Sequence, residues 1–194
     1  PAQKTVTGTV FAEGSPKLFG YLNLGKVTMD VPLKAGAFSA VVPDIGEAAT
    51  ISLIANFSDG DNSSVTSPVT SLAPLALETP PLPKQILPVK DAQVTAKTEF
   101  SFSHAGNMAM VWWSAGPWLV LHITDKTTVT LPDLTAQGIV WTDPHGDSGF
   151  WAVDTYAPAD TPEAFLTLLD GSSPALTHMS TNSASVSRGL YLPK

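Results

Sequence analysis

Hydrophobic and polar residues alternate one by one along short stretches of this chain. Thr5-Val6-Thr7-Gly8-Thr9-Val10-Phe11 is the first, and Lys26 to Leu33 keeps a period of two over eight residues. Ala37-Phe38-Ser39-Ala40-Val41-Val42-Pro43 follows a turn at Ala35-Gly36, and Thr50 to Phe57 ends at Ser58-Asp59-Gly60-Asp61-Asn62. Val65-Thr66-Ser67-Pro68-Val69-Thr70 reads as a final edge strand. Alternation puts successive side chains on opposite faces of an extended strand. Strands separated by turns at this spacing predict a β-sandwich.

The segment Ala73-Pro74-Leu75-Ala76-Leu77-Glu78-Thr79-Pro80-Pro81-Leu82-Pro83 then holds four prolines in eleven residues. Proline has no amide proton for a sheet ladder, so this stretch predicts an extended connector. Beyond it, strands are expected at Glu99–Ser103, Met108–Trp113, Pro117–Ile123, Thr127–Leu131, Phe150–Tyr156 and near the C-terminus. One helix is predicted over 161–169, capped by Asp160, with Pro162 in its first turn, Glu163 completing a capping box and Asp170-Gly171 as the stop. The expected fold is all-β: two tandem immunoglobulin-like sandwiches over residues 1–75 and 86–194, a Pro-rich linker over 76–85, and one short helix in the second domain.

Composition sharpens this. Only 14% of the 194 residues are charged, against roughly 25% in an average soluble domain. Net charge is −7 with a pI near 4.8, which argues against binding a phosphate backbone. The chain has no cysteine, which excludes disulfides, thiolate-bound metal and thiol catalysis. Charge is unevenly placed: residues 1–97 hold seven lysines and eight acids, whereas residues 98–187 hold Lys126 against nine acids. No apolar stretch approaches the ~20 residues of a membrane-spanning helix.

Candidate chemistry is sparse. Ser148 in Gly146-Asp147-Ser148-Gly149 has the look of a serine-protease nucleophile loop, but the Ala-His segment that would supply its general base is missing. Asp59 and Asp61 are spaced like oxygen ligands of a Ca²⁺ loop, and Asp143 and Asp147 repeat the theme, without the distal bidentate glutamate of an EF-hand. Such residues are also ordinary turn formers. His104, His122, His145 and His178 lack metal-ligand spacing. No cofactor is expected, Ca²⁺ being the one ion these loops would suit. The five tryptophans, Trp112, Trp113, Trp118, Trp141 and Trp151, fall within forty residues. Trp151, sharing a face with Val153, is expected to anchor a core. Neighbours Trp112 and Trp113 must point to opposite faces. Trp113, Trp118 and Trp141 are the expected ligand or partner contacts, because exposed indole rings suit both protein interfaces and sugar stacking.

Two resemblances bear on function. Val6-Thr7-Gly8-Thr9-Val10 and Gly36 to Asp44 make the first half similar to carboxypeptidase-regulatory-like (transthyretin-like) domains, with no clear counterpart of that family's second strand over Ser15–Gly25. Leu87-Pro88-Val89-Lys90-Asp91-Ala92, Phe100-Ser101-Phe102-Ser103 and Trp151-Ala152-Val153 make the second half resemble fibronectin type III-like modules of exported bacterial, myxobacteria-type lipoproteins. The resemblance implies a fold and a location, the bacterial cell envelope or exterior, and a lipid anchor before residue 1 would fit it. With no catalytic motif, the expected function is a non-catalytic binding, adhesion or structural module within a larger assembly. Its expected partners are other envelope or extracellular proteins. The alternative expectation is a carbohydrate-binding module using its exposed tryptophans on a glycan.

Overall fold

The computed structural model describes residues 2–44, 49–69, 74–90, 92–95, 97–104, 107–138, 148–157, 159–170 and 181–191, save 116–117. Its strands are β1 (Gln3–Phe11), β2 (Lys17–Leu24), β3 (Val27–Val31), β4 (Gly36–Pro43), β5 (Ala49–Asn56), β6 (Asn62–Pro68), β7 (Leu75–Glu78) and β8 (Lys84–Leu87). They continue with β9 (Glu99–Ser103), β10 (Met108–Ala115), β11 (Trp118–Thr124), β12 (Thr128–Thr130), β13 (Ser148–Ala157) and β14 (Thr181–Tyr191), with helix α1 (Pro162–Asp170) between the last two. The all-β expectation agrees with this.

The strands form one eight-stranded sheet, ordered β11-β10-β13-β14-β6-β5-β2-β3, and two three-stranded sheets, β4-β1-β7 and β12-β9-β8. Residues directly opposite in an antiparallel pair share a face, so the registers show which face each core occupies. Leu22 lies opposite Ile51, Leu53 opposite Val65, and Ala55 opposite Ser63. Ser63 lies opposite Ala184, which in turn lies opposite Thr155 on β13. Ala55, Ser63 and Thr155 are all buried. The same face of the long sheet therefore covers both cores. One core joins Val6, Val10 and Leu77 to Leu22, Ile51 and Leu53. The other joins Phe100, Phe102 and Val129 to Val111, Trp113, Trp151 and Val153. The two small sheets each close one core, with β7 against β6 and β8 against β14 in the middle.

The register that joins the halves is the β6–β14 pairing, from Thr66 opposite Thr181 to Asn62 opposite Ser185. It corrects the reading of this segment as an edge strand: β6 is interior. Its partner lies more than a hundred residues downstream, so nothing local signals it. The connector is also shorter than expected. Leu75–Glu78 pairs with β1 in parallel, leaving Pro80–Pro83 as the strand-free part. There a missing amide proton costs nothing, because the seam between β7 and β8 offers no ladder. Ser63 Oγ donates to the Pro80 carbonyl, and Gln85 Nε2 donates to the Trp151 carbonyl at 3.0 Å, tying the connector to the long sheet. The stretch Ser15–Gly25 holds β2, a full strand pairing with both β3 and β5.

Helix α1 starts where expected but with a different cap. The Ala164 amide donates to Thr161 Oγ1 at 3.1 Å, so Thr161, not Asp160, satisfies the first turn. Pro162 takes the first helical position, whose amide has no partner in any helix. The helix lies on the outer face of the sheet. There Phe165 is buried with Met108 and Ala159 beside Met110, Ile123 and Tyr156.

Candidate functional site

Two surfaces stand out, and Phe150 at the start of β13 belongs to both. The first is a groove of about 1160 Å³ at one end of the seam. Glu13 of the β1–β2 loop, with Phe57, Asp59 and Asp61 of the β5–β6 turn, forms one wall. The connector from Thr79 to Ile86, Lys90 and Phe150 form the rest. The lining thus combines Glu13, Asp59 and Asp61 with Lys84, Lys90 and apolar Phe57, Ile86, Phe150 and the prolines.

The turn itself explains the Asp59/Asp61 spacing. Gly60 has φ of +86° and donates its amide to the Phe57 carbonyl at 3.2 Å, while the Phe57 amide donates to the Asp61 carbonyl at 2.9 Å. Asp59 Oδ1 accepts the Ser58 hydroxyl at 2.8 Å. Among the described residues no three His, Cys, Asp or Glu side chains converge as metal ligands, and two carboxylates fall short of the six to eight oxygens Ca²⁺ takes. Asp143 and Asp147 lie outside the described residues, as do His145, His178 and Trp141.

The second surface is the outer face of β10, β11 and β13. Its residues follow from register: Trp112 lies opposite Leu121 and Ala152, and Ser114 opposite Leu119 and Phe150. Leu119 and Leu121 are 58% and 55% exposed. Trp112 is half-buried and meets the Phe150 ring edge-on at 5.2 Å and 82°. Helix α1 covers the Met110, Ile123 and Tyr156 end of this face, and the Leu119–Leu121 end lies beyond it. Among the described residues β11 is also an edge strand of the long sheet.

The tryptophans divide differently from the expectation. Trp113 is 2% exposed and packs edge-on against Phe100 at 5.4 Å, inside the second core. A buried ring cannot contact a ligand, so Trp113 leaves the list of contact residues and Trp112 takes the outward position. Alternation says that neighbours face opposite ways, but which of them faces the core depends on where Phe100 lies. Trp118 begins β11, its side chain outside the described set. Trp151 is the core anchor expected of it, fully buried against Phe100 at 5.2 Å. Leu119 and Leu121 were not legible as contacts in the sequence. The signal was there: Leu119-Val120-Leu121-His122-Ile123 is apolar at nearly every position, although on the outer side of β11 only Ile123 packs against a core.

Tyr156 locks the helix to the sheet, its ring edge-on to Phe165 at 4.8 Å. Burial, with the Asp154 carboxylate adding, pushes its hydroxyl from the usual 10 up to about 12. A neutral tyrosine favoured in the fold contributes stability that is complete below the unfolded value and lost as pH rises through the folded one. Alkaline titration followed at 295 nm should show a tyrosine ionising near 12 and missing in Tyr156→Phe. A wild-type curve finishing near pH 10 would contradict the packing described.

No helix among the described residues is long and apolar enough to cross a membrane. No family model matches the chain, and comparison with curated proteins and with solved structures finds no significant likeness.

Proposed function

We propose that this chain is a non-catalytic binding or structural module of the bacterial envelope or exterior, working within a larger assembly. It is read as two tandem sandwiches, carboxypeptidase-regulatory-like and then fibronectin type III-like, whose outer strands share one sheet. The division of each half into a four-stranded and a three-stranded layer supports that reading. The observation that carries the function is the β11 edge. Among the described residues it is an open strand, with two exposed leucines and no Lys, Arg, Asp, Glu or Pro from Trp118 to Thr124. Proteins that must stay monomeric blunt such edges with charges or prolines, so an unblunted one suits strand pairing with a partner. The test is crosslinking from residue 119 in the native envelope, using a photoreactive side chain there. A discrete adduct supports the reading. Absence of any adduct, together with a freely diffusing monomer, contradicts it.

A glycan reading keeps support from a different place. On the outer face of the first half, Asn23 Nδ2 lies 3.4 Å from Thr50 Oγ1 and 3.3 Å from Ser52 Oγ, and Thr28 Oγ1 donates to Asn23 Oδ1 at 2.9 Å. Ser52 and Thr66 hydroxyls meet at 2.8 Å. This row of hydroxyls and amides beside Tyr21 could exchange its hydrogen bonds for those of sugar hydroxyls. A glycan array on which the protein binds and Asn23→Ala does not would favour it; an array without signal would remove it.

A further inference from the structure

We infer that the partner at the β11 edge is a second copy of this chain, presenting its β3 edge, so that the eight-stranded sheets join head to tail. This rests on reading β11 as an interface and adds the identity of what covers it. Three observations single out this occupant.

The first is that the long sheet ends in two unpaired strands among the described residues, β11 at one end and β3 at the other. Each carries an exposed apolar pair two residues apart: Leu119 and Leu121 at 58% and 55%, Val27 and Met29 at 56% and 41%. A complementary pair of edges on one molecule forms a heterologous contact that repeats in every copy.

The second is charge. The half that holds β11, residues 86–194, has five basic residues against ten acids, whereas residues 1–85, which hold β3, have five lysines against seven acids. Pairing two β11 edges would bring two strongly acidic halves together. Pairing β11 with β3 sets the acidic half against a less acidic one, net −5 against net −2, with Lys26 and Lys34 close to β3 in sequence. Repulsion scales with the product of the charges, so the head-to-tail contact lowers it by about half or more.

The third fixes the geometry. Val27 and Met29 lie opposite Leu24 and Leu22, both buried in the first core, so they project from the core side of the sheet. Leu119 and Leu121 project from the outer side, with Trp112. The apolar pairs meet only when the incoming copy is turned over about the in-sheet axis perpendicular to its strands, which reverses its faces and keeps its β3 edge toward β11. That rotation brings Thr28 and Asp30 to the side of Val120 and His122, setting a carboxylate where the β11 strand offers an imidazole. Successive copies therefore alternate face up and face down.

The test is sedimentation velocity over a concentration series with wild type, Leu119→Lys/Leu121→Lys and Val27→Lys/Met29→Lys. Wild type should grow past the dimer as concentration rises. Each double variant should stay monomeric alone at concentrations about tenfold above the wild-type onset. Mixed together, they should form dimers and nothing larger, since one retains β3 and the other β11. Serine in place of lysine at the same positions gives a second pair should the lysines disturb the strands. A wild-type dimer abolished by the β11 variant and indifferent to the β3 variant would overturn the inference in favour of β11–β11 pairing. A wild-type monomer throughout would overturn it too, and the envelope crosslink from residue 119 then decides separately whether β11 is an interface for another protein.

Discussion

Replacing Trp151 with alanine is expected to lower the unfolding free energy by about 3–5 kcal/mol, the range for deleting a large buried aromatic. Trp151 is among the largest fully buried side chains, and it sits at the centre of the second core, edge-on to Phe100 at 5.2 Å. Losing it removes apolar contact and leaves a cavity between β9, β10 and β13 that rigid strands cannot close. Trp151→Phe should cost less than half as much. It keeps a ring against Phe100 and removes an indole N–H that has no acceptor among the described residues. Urea unfolding followed by fluorescence and by far-ultraviolet circular dichroism measures both. An alanine variant within 1 kcal/mol of wild type would mean that this ring is not in a core.

The second large effect is expected at Gly8. A Cβ there would collide with the Leu75 carbonyl oxygen and lie 2.6 Å from Phe38 Cε1. The oxygen belongs to β7, which pairs with β1 in parallel at this point, Gly8 opposite Leu75. Backbone on the partner strand cannot rotate away as a side chain can. Gly8→Ala should therefore push β7 off β1 and cost about 2–3 kcal/mol, at the upper end for overpacking. Gly36→Ala serves as a comparison, because its Cβ would meet nothing within 4 Å. There the cost comes from a φ of +99°, a backbone effect rather than a clash. Hydrogen exchange should show lost protection at 75–78 in the Gly8 variant only. Unchanged protection there would refute the close approach of β1 and β7.

Much of this fold could be read locally. Strands β1, β3 to β6 and β9 to β13 follow from alternation, and the turn at Gly60 from its residues, whereas β2, β7 and β8 do not. Trp151 was placed correctly because Val153 shares its face. What escaped was long-range. Whether β6 is an edge or an interior strand depends on β14, far along the chain, and a Ser/Thr-rich strand with no charge suits either position. The connector's start was misjudged because Leu75–Glu78 precedes the proline cluster and looks like part of it, whereas its partner β1 lies near the N-terminus. The same ignorance of partners hid which of Trp112 and Trp113 faces the core. It also hid Leu119 and Leu121, whose exposure follows only once β11 is known to be an edge.

The long sheet runs unbroken from one half to the other through β6 and β14. Because the chain has no cysteine of its own, an introduced pair reports cleanly. Ser64 and Ser183 stand directly opposite in that pairing, and directly opposed residues have Cα atoms about 4.5–5.5 Å apart, within disulfide reach. Ser64→Cys/Ser183→Cys should oxidise to an intramolecular disulfide, seen as a mobility shift on a non-reducing gel and a loss of free thiols. A control with Ser64→Cys/Ser187→Cys, displaced by four residues and so by about 13 Å, should stay reduced. Equal crosslinking in the two, or none in the first, would contradict the continuous sheet.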